Sequence, residues 1–160
     1  MLDSFPRFDA SPANWKGSDL AKTPDRWMHD LSAAELGDLE AMIAAAGDRT
    51  DDLTNVTVDD LPLPHLAPKL KEIKASVLDG VGLTLIRGFP IDRYNLRQAA
   101  TAFWAVGLHL GDAVSQNAAG HALGHVRDLG FDYSQPSSRG YQTAERLPYH
   151  CDAGDVVGLL

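Results

Sequence analysis

The sequence LPYHCD, residues 147–152, is the stretch on which the predictions of fold and chemistry depend. In an extended segment successive side chains point to opposite faces, so His150 and Asp152 share a face and Cys151 points the other way. An imidazole nitrogen and a carboxylate oxygen on one face can bind one side of a metal ion. A third ligand from elsewhere would complete the 2-His-1-carboxylate triad of non-haem Fe(II) sites. By itself so short a pattern leaves two interpretations open, a metal pair or an exposed histidine beside a loop aspartate. Cys151 is predicted to be a small buried residue rather than a thiolate ligand.

The composition predicts a soluble globular chain of single-domain size. It has 160 residues, of which 44% are hydrophobic and 22% charged, enough to bury one core. A net charge of -8 disfavours nucleic-acid and anionic-membrane partners. No apolar stretch approaches the ~20 residues of a membrane span, and residues 1–6 lack the basic start of a signal peptide. With a single cysteine as well, no oxidising compartment is implied, and we expect a cytoplasmic protein.

The first part of the chain predicts an arm followed by helices. Residues 1–22 hold prolines and scattered charges and predict an irregular surface arm. A Thr-Pro-Asp start predicts a short helix over residues 23–30. Ser32 and Glu35 have the spacing of a capping box, which opens a further helix that Gly47 is placed to end.

A helix, a strand and a second helix are predicted next. The first helix covers residues 67–78 and ends at Gly80. The strand, residues 81–87, is apolar and rich in branched side chains. Asn95 and Gln98 form a second reciprocal cap. The apolar stripe of the helix that they open is predicted to contain Leu96, Ala99, Ala100, Phe103, Gly107 and Leu110.

Beyond Gly111 the sequence predicts β structure and a long loop. Residues 113–117 and 123–128 are expected to form two strands joined by a glycine-containing turn, and residues 129–146 a polar loop. Loops of this length inside a domain are usually functional or mobile. His121 and His125 have a metal spacing only on a helix, which the neighbouring glycines disfavour. One cysteine and scattered histidines also do not provide a structural zinc site.

Polar side chains of the predicted strands are candidates for ligand contacts. They are the amides of Gln116 and Asn117 and the guanidinium of Arg127. An arginine that faced the interior would be costly unless it met an anion. That anion is either a carboxylate-bearing ligand or the partner in a buried ion pair, and the sequence leaves both open.

Five short motifs follow one another along the chain. They are GVGLTLIRGFP at 80–90, LG at 110–111 leading to SQN at 115–117, GHVRD at 124–128, GYQT at 140–143 and PYHCD at 148–152. With these motifs the chain, from about Trp27 onward, resembles the taurine dioxygenase / 2,4-dichlorophenoxyacetate dioxygenase family of Fe(II)- and 2-oxoglutarate-dependent oxygenases. The resemblance implies an α+β fold, an incomplete double-stranded β-helix (jelly roll, clavaminate synthase-like) braced by N-terminal helices.

The resemblance also implies a site. His150 and Asp152 would be the first two iron ligands, with Fe(II) as the metal and 2-oxoglutarate as co-substrate. Gln116, Asn117, Arg127 and Tyr141 would be candidates for contacts with substrate or co-substrate. The implied reaction is hydroxylation of a small polar or anionic substrate with O2, without nucleic-acid or membrane partners, and a homo-oligomer is allowed.

The family's distal iron-binding His and its 2-oxoglutarate-binding Arg fall outside this sequence. We therefore expect residues 23–160 to be the N-terminal part of a single oxygenase domain, inactive by itself: a fragment, a truncated gene product or one piece of a split protein. Two alternatives stay open. One is a non-catalytic jelly-roll binding protein, and the other is a cupin-like metalloenzyme that does not use 2-oxoglutarate.

Overall fold

The computed structural model describes residues 11–46, 52–117, 119–135, 138–152 and 154–160. The chain divides into two compact units. The first contains Met1–Asp112 and also Leu160, and the second contains Ala113–Leu159. None of the described helices combines the length and apolar character that a membrane span requires.

The described part of the first unit is helical with one two-stranded sheet. Its helices are α1 (Gly17–Leu20), α2 (Ala33–Ala46), α3 (Leu66–Asp79) and α4 (Leu96–Leu110), its strands are β1 (Met28–Asp30) and β2 (Leu85–Arg87), and single 3₁₀ turns lie at Pro24–Arg26, Leu53–Asn55, Val58–Asp60 and Ile91–Arg93. Each of α2, α3 and α4 contacts the other two. The side chains buried most completely are Leu39, Leu63, Leu66, Leu70 and Ile73, so the core lies among these helices.

Helix α2 begins as the sequence predicts. The backbone N–H of Ser32 donates to Glu35 Oε2 at 2.7 Å, and the N–H of Glu35 donates to Ser32 Oγ at 3.3 Å. This reciprocal pair satisfies N–H groups that have no partner inside the helix. The capping box is therefore confirmed, whereas Gly47 lies outside the described residues.

The first turn of α3 is held by a carboxylate from α2. The buried Asp38 side chain accepts hydrogen bonds from the backbone N–H groups of His65 and Leu66, at 2.6 and 2.9 Å, and from His65 Nδ1–H at 2.8 Å. Burial acts to raise the pKa of this carboxyl, but the hydrogen bonds from the His65 ring and the two backbone N–H groups outweigh it and lower the pKa. His65, at the N-cap position, provides no side-chain cap of its own. Asp38 thus supplies the cap from another helix.

The predicted helix over residues 23–30 is wrong. Only Pro24–Arg26 forms a 3₁₀ turn, and β1 follows it and pairs in parallel with β2, with Met28 opposite Leu85. The Trp27 carbonyl accepts a hydrogen bond from the Leu85 N–H at 2.7 Å. Backbone groups that would have made hydrogen bonds within a helix therefore pair with a distant strand instead. This tertiary pairing overrides the helix-start signal of the local sequence.

Strand β2 is shorter than the sequence predicts. The expected strand began at Val81, but Gly82 has a φ of 82° and the extended pairing starts only at Leu85. Val81 is buried, and its carbonyl accepts the indole N–H of Trp15 at 2.8 Å. Gly82 occupies a left-handed conformation that is open to glycine and strained for other residues. Gly80 ends α3 as predicted.

Helix α4 has the predicted cap and a different buried face. Asn95 and Gln98 exchange backbone and side-chain hydrogen bonds at 2.9 Å in each direction. Leu96 is 69% exposed, and of the predicted stripe only Ala99 is buried. The buried residues are Ala99, Thr101, Ala102, Trp104, Ala105 and Val106. The stripe was wrong because α4 packs against both α2 and α3, so its buried surface is wide and consists mainly of small residues.

The second unit has little regular structure. Its described residues contain no strand, so the strands predicted over 113–117 and 123–128 are wrong, and its one helical turn is Gly140–Gln142. Backbone hydrogen bonds from the Arg127 N–H to the Tyr141 carbonyl and from the Leu129 N–H to the Gln142 carbonyl join two segments, at 3.0 and 2.9 Å. Isolated strands without several partners are marginal in water. The jelly-roll core remains a prediction.

Candidate functional site

The predicted metal pair lies together in the second unit. His150 Nε2 is 3.7 Å from Asp152 Oδ1, and both side chains are about half exposed. The two groups therefore lie on one side of the segment, as the alternation of an extended chain predicts.

The orientation of the imidazole follows from a second contact. His150 Nδ1 lies 2.9 Å from the Pro148 carbonyl oxygen. A carbonyl can only accept, so Nδ1 carries the proton in this hydrogen bond, and in the neutral imidazole Nε2 then has the lone pair. Such a backbone contact to the far nitrogen is how metal-binding histidines are commonly held in one tautomer. The nitrogen near Asp152 is thus the one free to bind a metal.

The pair fits two ligands of one ion. Two atoms that each lie about 2.1 Å from a metal can be at most about 4.2 Å apart, and the observed 3.7 Å is within that limit. Neutral imidazole and carboxylate also match the donor set of a facial-triad site. Among the described residues, no group of three His, Cys, Asp or Glu side chains could hold a metal ion. His150 and Asp152 are therefore a partial site.

Cys151 departs from its predicted environment. The thiol is free and the residue exposed, although alternation with its neighbours predicted a buried side chain. His150 and Asp152 are exposed as well, so neither face of this segment is covered by described residues. Alternation correctly placed His150 and Asp152 close together but did not predict the exposure of Cys151.

The two candidate amides are engaged in their own turn. Asn117 Oδ1 accepts from the backbone N–H groups of Ala119 and His121, at 3.0 and 3.3 Å, and its Nδ2 lies 3.0 Å from His121 Nδ1. Gln116 Nε2 donates to the Val114 carbonyl at 2.9 Å. Both side chains shape the turn in this structure, and their role in ligand binding remains a prediction.

Arg127 and Tyr141 are brought together by their backbones. The Arg127 N–H donates to the Tyr141 carbonyl at 3.0 Å. Arg127 is exposed, so the expectation of an interior-facing guanidinium is wrong, and it makes no ion pair with another described residue. No hydrogen bond or ion pair among the described residues links either residue to His150 or Asp152.

A cleft upstream of the metal pair was missed by the sequence analysis. It has a volume of about 460 Å³ and lies between residues 128–134 and 143–145. Phe131 and Tyr133 line it, together with the acidic residues Asp128, Asp132 and Glu145. These residues fall in or beside the predicted polar loop, and the length of that loop was the only indication in the sequence of a functional segment.

Comparison with known proteins gives two relatives. The chain is 34% identical to FR-33289 synthase from Streptomyces rubellomurinus over 128 residues, which cover 76% of this chain and 38% of that protein. It is 24% identical to a taurine hydroxylase-like protein from Stachybotrys chartarum over 156 residues, which cover 91% of this chain and 39% of that protein. The chain thus spans about two fifths of the length of these curated relatives. No protein-family profile matches it. The second similarity agrees with the family resemblance of the sequence motifs.

Proposed function

We propose that this chain carries part of the iron site of an Fe(II)- and 2-oxoglutarate-dependent oxygenase of the taurine dioxygenase type. The observation that carries the proposal is the facing pair His150 Nε2 and Asp152 Oδ1 in a chain similar to a taurine hydroxylase-like protein. The fold proposed with it is an incomplete jelly roll, of which residues 23–160 would be the N-terminal part.

The residues of this chain would hold the metal and fix its direction of approach. His150 would bind through Nε2 and Asp152 through its carboxylate, while the Pro148 carbonyl keeps the imidazole proton on Nδ1. Bound Fe(II), together with 2-oxoglutarate, would supply the activation of O2 that hydroxylation of a C–H bond requires. Both ligands must be unprotonated to bind, so acid competes with the metal.

The substrate proposed is a small polar or anionic molecule. Arg127 is the cation on which this depends, because its exposed guanidinium can pair with a carboxylate, sulfonate or phosphonate in bidentate fashion. Gln116, Asn117 and Tyr141 are further candidates for polar contacts. Gln116 and Asn117 would have to exchange hydrogen bonds within their turn for contacts with the substrate.

Full activity is proposed for a longer polypeptide. The described residues bring no third ligand to the pair, and the relatives are more than twice as long as the matched region. With two protein ligands the chain should bind Fe(II) weakly and turn over little or no 2-oxoglutarate.

Anaerobic calorimetric titration with Fe(II) tests the proposal. His150→Ala and Asp152→Ala should each reduce the affinity at least tenfold, whereas Cys151→Ala should leave it within about twofold. His125→Ala serves as a matched control, because it removes an exposed imidazole from the same unit. If His125→Ala or Cys151→Ala weakens binding as much as Asp152→Ala does, the ligand assignment is wrong.

A further inference from the structure

The cleft between residues 128–134 and 143–145 differs in character from the metal pair. Its lining contains three carboxylates and two aromatic rings, and no Lys, Arg or His among the described residues. Phe131 and Tyr133 both line the cleft and are 51% and 48% exposed, so both are partly open to solvent. Thr143 is buried and also lines it. A negatively charged cleft with aromatic walls attracts cations, and aromatic faces bind organic cations in particular.

The three carboxylates differ in the number of hydrogen bonds that they already accept from described residues. Asp132 accepts from the Ser134 N–H at 2.9 Å and from Gln135 Nε2 at 3.4 Å. Hydrogen bonds from the side chain and backbone of Ser134 lower the pKa of this carboxyl, so it is charged at neutral pH. Asp128 accepts from the Gly130 N–H at 2.7 Å through Oδ1 only. The Glu145 carboxylate makes no hydrogen bond or ion pair with a described residue, which makes it the most available charge.

The arrangement does not suit a metal ion. A calcium or magnesium site needs several oxygen ligands that converge on one point. Among the described residues no three acidic, His or Cys side chains are close enough to hold an ion, so the carboxylates of the cleft do not converge. Acidic side chains that do not converge, in a lining that also contains two aromatic residues, instead match a larger cation whose charge is dispersed over several carbon atoms.

The Tyr133 wall is fixed by close packing at a glycine. A Cβ atom at Gly140 would lie 3.3 Å from the Tyr133 ring and would collide with the Leu147 side chain. Gly140 therefore allows the ring and the Leu147 side chain to pack directly on the backbone. A ring held in this way offers its surface without first being ordered by the ligand, which reduces the entropic cost of binding.

We propose that this cleft binds an organic ammonium cation, with its alkyl groups against Phe131 and Tyr133 and its charge near Glu145 and Asp128. The lining of this cleft shares no residue with the metal pair, and binding there would need neither Fe(II) nor 2-oxoglutarate. It also does not include Arg127, on which the proposed polar or anionic substrate depends.

Choline is the probe, and its uncharged isostere, with carbon in place of the quaternary nitrogen, is the matched ligand control. Titrations of the full chain without metal are followed by amide NMR. Choline should shift the Gly130 and Ala144 amide signals saturably in the millimolar range, and the isostere should bind at least threefold more weakly. Equal binding of the two ligands, or no shift at these amides, would overturn the proposal.

Variants distinguish a specific binding site from a general attraction between the cation and an acidic protein. Glu145→Gln and Phe131→Leu should each weaken choline binding about two- to fivefold, because each removes one exposed contact. Asp155→Asn removes the same charge outside the cleft and should leave binding unchanged. Because Glu145 and Phe131 are exposed, amide signals of the second unit away from the cleft should not move in the free variants, and this reports an intact fold. Equal weakening by Asp155→Asn and Glu145→Gln, or displacement of choline by equimolar Ca²⁺, would contradict an organic-cation site.

Discussion

Asp38 is a polar side chain whose removal should clearly destabilise the first unit. It is 6% exposed and accepts three hydrogen bonds at the start of α3. Asp38→Ala removes a cap worth about 1 kcal/mol. It also leaves the buried N–H of Leu66 and the N–H of His65 without this acceptor, at about 1 kcal/mol or more each. We expect the free energy of unfolding to fall by about 2–4 kcal/mol.

Urea unfolding measures this change, followed by helical circular dichroism and tryptophan fluorescence. Glu40→Ala is the matched control, because Glu40 lies on the same helix and makes an exposed ion pair with Arg93 at 2.7 Å. Exposed pairs of this kind contribute about 0.2–1 kcal/mol. If Asp38→Ala costs no more than Glu40→Ala, the inter-helix cap does not stabilise α3 as argued.

The same carboxyl predicts a pH dependence. The pKa of Asp38 is lower in the folded chain than its ordinary value, so ionised Asp38 stabilises the fold above the unfolded pKa. That contribution is lost as the pH falls through the folded pKa. Wild type should therefore be more stable than Asp38→Asn by a constant amount near neutral pH, and the gap should narrow below about pH 4. A gap that widens in acid would contradict the sign.

Other predictions concern glycines, a cap and the metal. Gly82→Ala should destabilise the chain by about 1 kcal/mol or more because of its positive φ. Gly37→Ala, on an exposed and uncrowded face of α2, should stabilise it by about 0.5–1 kcal/mol, and thermal melts compare the two. Asn95→Ala should cost about 0.5–2 kcal/mol in the same assay through loss of the α4 cap. Fe(II) affinity should fall on mild acidification, because protons compete for His150 Nε2, and a flat titration series would count against that ligand.

The elements that the sequence predicted well are those specified by nearby residues. The Ser32–Glu35 and Asn95–Gln98 boxes need partners three residues apart, so both are visible in the sequence and present in the structure. Strand β1 was missed because its partner is β2, beyond two intervening helices. The Asp38 cap was missed for the same reason, since nothing near Asp38 indicates that it reaches Leu66.

In the candidate site, too, local features could be predicted from the sequence and features that depend on tertiary contacts could not. The proximity of His150 and Asp152 follows from alternation over three residues and needed no tertiary information. The cleft depends on where two irregular segments meet, and no periodic pattern encodes that meeting. The exposure of Arg127 and Cys151 likewise could not be predicted from the residues near them in sequence, because it depends on whether distant segments cover them.

The parallel pairing of β1 and β2 has a consequence for the order of folding. Each strand has only three residues, and all of α2 and α3 lies between them. Closing so long a connection costs entropy that a few strand hydrogen bonds cannot offset early. Packing of α2 against α3 shortens the effective connection by bringing its ends together. We therefore expect strand pairing to be a late kinetic event, and amides of the sheet to gain protection from hydrogen exchange only after those of α2 and α3.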